Sequence, residues 1–293
     1  MNRPPRALLL AALVFQALLS AGTYLAAASA MHSIGPIALT FLRNVVSAVI
    51  YAALLPLMLA RGKRLPPKSL WARVIWLSVL AVPMNMGFFL FGIHRSTPSH
   101  AALLYSLAPL FVMLAARGSL GERLVPSRVI GVLIALGGTL WLLSQRGVDA
   151  PEARFGDLFI LIGVIGWSLF SVHGKPLVHE VGPLAATAWP IVFGTVLFLP
   201  IGLFGAETTD WMALSKAAWF GVFYLGVITS VVSYLCWYWA LRYLDAGQVA
   251  IFTNLQPVAT AALSWLVLGE RMSPSFAASA ALVLFGVALV QRA

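Results

Sequence analysis

The chain has 293 residues, 61% of them hydrophobic and 10% charged, and its mean hydropathy is +0.93. A soluble globular domain is about 45 to 50% apolar and about 25% charged, so that class is excluded and the solvent is lipid. The formal net charge of +10 would suit a nucleic-acid surface only if the basic residues clustered on one face, and their distribution follows a membrane instead.

A hydrocarbon core of about 30 Å takes about 20 apolar residues per helix. Ten stretches of roughly that length follow one another at 7-28, 36-59, 70-92, 97-116, 127-144, 156-176, 184-204, 216-241, 246-268 and 275-291, with short connections between them. The first, between basic Arg3 and Arg6 and the small residues AAASA at 26-30, imitates a secretory leader. Its apolar run exceeds the usual leader core of about 7 to 15 residues, so it is expected to stay as a span. The second stretch carries Arg43 and the third Asn85. The fourth places Tyr105 and Ser106 just before Pro109 and ends in Leu120-Gly121-Glu122-Arg123, after which Pro126 opens the fifth. Trp167 and Ser171 lie in the sixth. The eighth sets Ser230, Ser233, Tyr234, Trp237 and Tyr238 three and four residues apart, which is one face of an α-helix. The ninth repeats the logic of the fourth, with Thr253, Asn254 and Gln256 before Pro257, then Leu268-Gly269-Glu270-Arg271 and Pro274.

Those two endings reveal a repeat. At an offset of 148, Pro109 matches Pro257, the Leu-Gly-Glu-Arg blocks match, Pro126 matches Pro274 and Gly138 matches Gly286. At 147, His32-Ser-Ile-Gly-Pro36 matches His179-Glu-Val-Gly-Pro183. Each half therefore holds five stretches, and an odd number of crossings inverts the second half relative to the first. Inverted repeats are the signature of many secondary transporters, whose site lies near the midplane between the halves. With the N-terminus inside, thirteen Lys and Arg fall on the inner side and five on the outer, with Arg43 inside a span. That is the positive-inside bias; it is carried by the first half and is expected to put both termini in the cytoplasm.

Ten spans as five plus five, an Arg in the second span and a Pro followed by Gly-Glu-Arg-x-x-Pro leaving spans 4 and 9 resemble the EamA-type permeases of the drug/metabolite transporter superfamily. The resemblance covers the whole chain and is most specific in the doubled Gly-Glu-Arg block. Within that superfamily the chain is similar to bacterial amino acid exporters of the YddG kind, by overall likeness. The resemblance implies an all-α membrane protein in which ten transmembrane helices, as two inverted five-helix repeats (1-148 and 149-293), surround a central cavity. It also implies export of amino acids or related metabolites across a bacterial inner membrane.

The residues themselves give the expected site. Polar groups within a lipid-spanning helix face the bundle interior or an aqueous path, and a mid-helix proline frees the carbonyl four residues earlier. Asn85, Tyr105, Trp167, Ser171, Ser230, Tyr234, Tyr238, Asn254 and Gln256 are the candidate substrate-binding residues, with Pro109 and Pro257 as kinks or gates at matching depth. Arg43 is expected to be a structural tie rather than a site for a substrate carboxylate. Gly121 and Gly269 are expected as left-handed helix ends, and Glu122 and Glu270 as favourable charges at the N-terminus of the helix that follows each. His173, near a membrane boundary, stays ambiguous.

All nine acidic residues fall in loops or at span ends. Proton-driven carriers commonly use an embedded carboxylate or His relay, so a facilitator or exchanger driven by the substrate gradient is expected. A pocket of neutral amides, hydroxyls and aromatic faces suits zwitterionic or neutral polar molecules, aromatic amino acids among them. Export of other metabolites or drugs stays open as an alternative, as does a non-transporting assembly subunit. Cys236 is the one cysteine, and neither G-x-S-x-G, H-E-x-x-H nor a phosphate-binding loop occurs, so no enzyme activity, metal or cofactor is expected. The expected partners are a small-molecule substrate and the lipid bilayer, without nucleic acid, for a protein working as a monomer.

Overall fold

The computed structural model describes residues 4–60, 66–96, 101, 104–144, 153–268 and 274–292. Every regular element among them is helical. In chain order they are α1 (Arg6–Ala30), α2 (Pro36–Ala60), α3 (Trp71–Val79), α4 (Phe88–Arg95), α5 (Ala108–Leu120), α6 (Pro126–Ser144), α7 (Ala153–Glu207), α8 (Lys216–Phe223), α9 (Tyr234–Leu241), α10 (Ala246–Ala250), α11 (Leu255–Leu268) and α12 (Pro274–Arg292). A π-helical segment, Leu80–Gly87, joins α3 to α4, and a second, Tyr224–Ser233, joins α8 to α9. A 3-10 segment, Ile251–Asn254, joins α10 to α11.

The helices do not map one to one onto the apolar stretches. Those long and apolar enough to cross a bilayer are Arg6–Ala30, Pro36–Pro56, Lys68–Arg95, Phe155–Glu207 and Lys216–Leu241, and Ala108–Leu120, Pro126–Trp141 and Ala277–Arg292 are shorter apolar helices. The 55 residues of α7 carry two of the stretches, separated by Gly182 at φ 83° and ψ 167°. That conformation is essentially restricted to glycine, and Pro183 follows it as the cue for a new helix. Large apolar side chains such as Phe15, Leu133, Phe204, Phe220 and Phe285 stay at least half exposed. An apolar belt of this extent needs lipid against it.

α6 and α12 pack tightly and antiparallel. A Cβ on Gly131 would lie 2.8 Å from the Gly286 carbonyl oxygen, and one on Gly138 would lie 2.9 Å from that of Ser279. Small residues let backbones approach where no hydrophobic drive exists between helices. At the repeat offset of 148, position 131 corresponds to 279 and 138 to 286, so the two close contacts exchange with one another when the halves are swapped.

Gly121 ends α5 at φ 67° and ψ 18°, its amide bonded to the carbonyl of Ala116, as the left-handed cap requires. Pro126 opens α6 as expected. Glu122 departs from expectation. Its carboxylate accepts the backbone amide of Ala246, the first residue of α10, at 3.1 Å to either oxygen, and pairs with Lys175 of α7 at 2.7 Å. It serves a helix N-terminus, but of a helix distant in sequence, because α10 and Lys175 close over the end of α5. Arg128 completes the cluster by pairing with Asp245 at 2.7 Å. Gly269 and Glu270 lie outside the described residues.

Candidate functional site

The interruptions in the helices fall at matching places. Pro109 stands in the first turn of α5, just after a break at Ser106 and Leu107. Pro257 stands in the first turn of α11, just after the 3-10 segment. At an offset of 148 the breaks coincide and the two π segments overlap. A proline nitrogen cannot donate, so Pro83 removes one helical hydrogen bond inside the first π segment. π turns inside α-helices concentrate at functional sites, and here both adjoin one cavity.

That central cavity is lined by Gln16, Ser20, Thr23 and Tyr24 of α1, by Arg43 of α2, by Asn85, Met86 and Phe89, by Tyr105, by Trp167 of α7, by Thr229 and Tyr234, and by Gln256 of α11. Its polar groups are largely tied to each other. Tyr105 donates its hydroxyl to Asn85 Oδ1 at 2.7 Å, and Asn85 Nδ2 donates to the Tyr234 hydroxyl at 3.0 Å. Tyr24 donates to Gln256 Oε1 at 3.0 Å. Gln16 Nε2 donates to Ser20 at 2.8 Å and to Ser233 at 3.0 Å, and the Thr23 and Thr229 hydroxyls pair at 2.9 Å. Aromatic faces complete the wall, with the Trp167 ring 4.9 Å from Tyr234 and Phe89 edge-on to Tyr105 at 5.3 Å.

Of the expected substrate-binding residues, the structure brings Asn85, Tyr105, Trp167, Tyr234 and Gln256 to this cavity and leaves four out of its lining. Ser171 accepts the indole N–H of Trp237 at 3.1 Å, and Tyr238 donates to the Phe170 carbonyl at 2.9 Å. Both are side-chain ties behind the wall. Ser230 donates to the carbonyl of Leu225 at 2.8 Å and accepts from Arg43 Nη2 at 2.8 Å. Asn254 is fully buried at the 3-10 break with neither amide atom partnered. Arg43, expected as a tie, does make that bond to Ser230, yet it lines the cavity as well.

The whole contribution of α1 went unpredicted. Its signal was present: positions 16, 20, 23 and 24 recur at the spacing of one helical face. His173, left ambiguous by the sequence, accepts the Trp76 indole N–H at Nδ1 at 2.9 Å, and its Nε2 lies 3.2 Å from the Ser119 hydroxyl. It belongs to one end of the helices and is absent from the lining. Among the described residues no cluster of His, Cys, Asp and Glu could hold a metal ion.

The Bacillus subtilis protein named "Uncharacterized transporter YyaM" is 28% identical over 215 residues, spanning 71% of this chain and 70% of that protein. "Uncharacterized inner membrane transporter YedA" of Escherichia coli K12 is 25% identical over 269 residues, 92% of this chain and 85% of that protein. A solved structure titled "Crystal structure of protein", 24% identical, superposes with a TM-score of 0.78 over 98% of both chains, a likeness of fold. The model of the EamA-like transporter family matches residues 7–144 and again 154–292. Matched in this way over both halves, the chain belongs to the EamA-like transporter family, membrane transporters of small molecules within the drug/metabolite transporter superfamily.

Proposed function

We propose that this protein exports amino acids, aromatic or other neutral ones among them, or closely related metabolites, by alternating access across a bacterial inner membrane. The observation that carries the reading is the central cavity, where polar side chains from both halves of the chain meet aromatic faces at the depth of the paired helix breaks. Amides and hydroxyls suit a zwitterion, and the rings of Tyr24, Phe89 and Trp167 suit an apolar side chain.

In this reading the chain forms ten spans as two inverted five-helix repeats, 1-148 and 149-293, with both termini in the cytoplasm, and it works as a monomer. Support for inversion comes from α6 and α12, equivalent helices at the repeat offset, which run antiparallel through contacts that exchange under the repeat. Inverted halves rocking about a fixed site open it to each side in turn. The helix prolines Pro109 and Pro257 are the hinges of that motion. The described acids, Glu122, Asp157, Glu180, Glu207, Asp210 and Asp245, lie at or near helix ends and outside the cavity lining, so transport follows the substrate gradient without obligatory proton coupling.

Counterflow of radiolabelled amino acids into proteoliposomes containing only this protein tests the reading. Saturable exchange, with unlabelled amino acids competing, is expected. If no amino acid competes, the substrate belongs to another metabolite class. Uphill accumulation driven by an imposed pH gradient would overturn the uncoupled mechanism.

A further inference from the structure

Arg43 is the one buried charged side chain among the described residues, 2% exposed. A charge at such depth is expensive in a bilayer and is normally paired. Here Nη2 donates to the neutral hydroxyl of Ser230 at 2.8 Å, Nε has no partner, and no acidic side chain among the described residues forms an ion pair with it. The hydroxyls of Tyr24 and Tyr105 and the amide of Asn85 donate within the wall, and the Tyr234 hydroxyl accepts from that amide. A second buried donor on the same cavity, Trp167 Nε1, is also without a partner. The wall thus presents an unneutralised guanidinium and an unpaired indole N–H, and it offers no carboxylate for a cation. The unpartnered acceptor Gln16 Oε1 can take an N–H but brings no charge.

We propose that Arg43 anchors the carboxylate of the transported molecule, with Trp167 Nε1 as a second donor, and that the substrate class is small organic monocarboxylates in which an α-ammonium group is accepted but not required. The guanidinium fork matches a carboxylate in shape and charge, and the incoming anion neutralises the buried cation at the moment of loading. An unloaded cavity keeps its positive charge. The inference rests on the central cavity being the transport site.

Thermal unfolding of the purified full-length protein, at constant chloride and pH 7, tests it with three probes: phenylalanine, 3-phenylpropionate and phenylalanine amide. Ligands that bind the folded state raise Tm. Phenylalanine and 3-phenylpropionate are expected to protect, and the amide, which lacks the carboxylate, to protect at least about tenfold more weakly. Arg43→Gln is expected to abolish the carboxylate-dependent protection and Arg43→Lys to keep part of it. The comparison of acid with amide in the unsubstituted protein stands even if the glutamine variant fails to fold.

Equal protection by amide and acid, undiminished acid protection in Arg43→Gln, protection by chloride alone with nothing added by the acids, or no protection by any probe each overturns the proposal. Counterflow keeps the two readings apart. Phenylalanine flux without carboxylate discrimination removes the role of Arg43 and leaves the transporter; carboxylate-dependent protection without flux does the reverse.

Discussion

The Leu-Gly-Glu-Arg sequence recurs in both halves of the chain, but the residues that pair around Glu122 do not recur with it. Around Glu122 stand Lys175, Arg128 and Asp245, tying α5, α6, α7 and α10 together. At the repeat offsets, the sequence puts Ala28, Phe276 and Thr97 where these three would stand beside Glu270. Duplication kept the glycine and proline, which act through backbone geometry alone, while the ion pairs of Glu122 need partners from three other segments whose charged residues the sequence does not repeat. Charge thus holds the Glu122 end of the molecule through residues that the sequence does not repeat in the other half.

Glu122→Gln is expected to break this contrast most severely. It leaves Lys175, whose side chain is 14% exposed, with only the longer pairing to Asp245 at 3.9 Å, and weakens the bond to the Ala246 amide, for a loss of about 2 kcal/mol in chemical denaturation. Glu270→Gln should move stability by less than about 0.5 kcal/mol; equal losses would refute the asymmetry. A double change of Glu122 and Lys175 to methionine should recover most of the loss, because no charge is left unpaired.

The helix seam supplies a second contrast. A Cβ on Gly286 would sit 2.5 Å from the Gly131 carbonyl oxygen, whereas one on Gly137 meets nothing within 4 Å. Gly286→Leu should therefore lower stability by about 2 kcal/mol. Gly137→Ala should be neutral or gain up to about 1 kcal/mol, both read from denaturation midpoints. Arg128→Gln is a smaller test, below about 1 kcal/mol and fading at high salt, because the Asp245 side chain is 43% exposed.

The smallest effect concerns His179, whose partial burial, with Lys175 and Arg242 nearby, holds its imidazole below the ordinary pKa. Its neutral form is favoured in the folded protein, so its contribution to stability is present above the unfolded pKa and fades as pH falls through the folded one. Lys175→Met should raise the pKa of His179 toward its ordinary value, as read by NMR titration, and leave that of His173 unchanged.

Much of this was legible because its physics is local. Stretch lengths reflect bilayer thickness, Gly121 and Pro126 mark a helix end and a start by their own backbone limits, and the breaks before Pro109 and Pro257 follow from the missing N–H. The cavity wall was half legible. The stripe on residues 230 to 238 implies α spacing throughout, but Ser230 and Ser233 lie inside a π segment, which shifts the phase of everything before Tyr234. Tyr234 reaches the cavity while Ser230, shifted in phase, does not; Tyr238, one α turn beyond Tyr234, bonds the Phe170 carbonyl instead. The α1 face is written only as a polar periodicity at 16, 20, 23 and 24, within a segment whose basic and small-residue flanks imitate a leader. The place of Arg43 on the cavity was not legible for another reason: what a buried cation faces depends on every other helix, and no single stretch records it.

The π segments carry a mechanical consequence. A π turn bonds i to i+5 where an α turn bonds i to i+4, so it stores about one extra residue. If Tyr224–Ser233 rewound as α, the residues beyond it would rotate by about 100° about the axis and advance by about 1.5 Å. Tyr234 would swing off the cavity wall and a different side chain would take its place. The lining can then be re-dealt by a screw motion within one helix, without that helix leaving its neighbours.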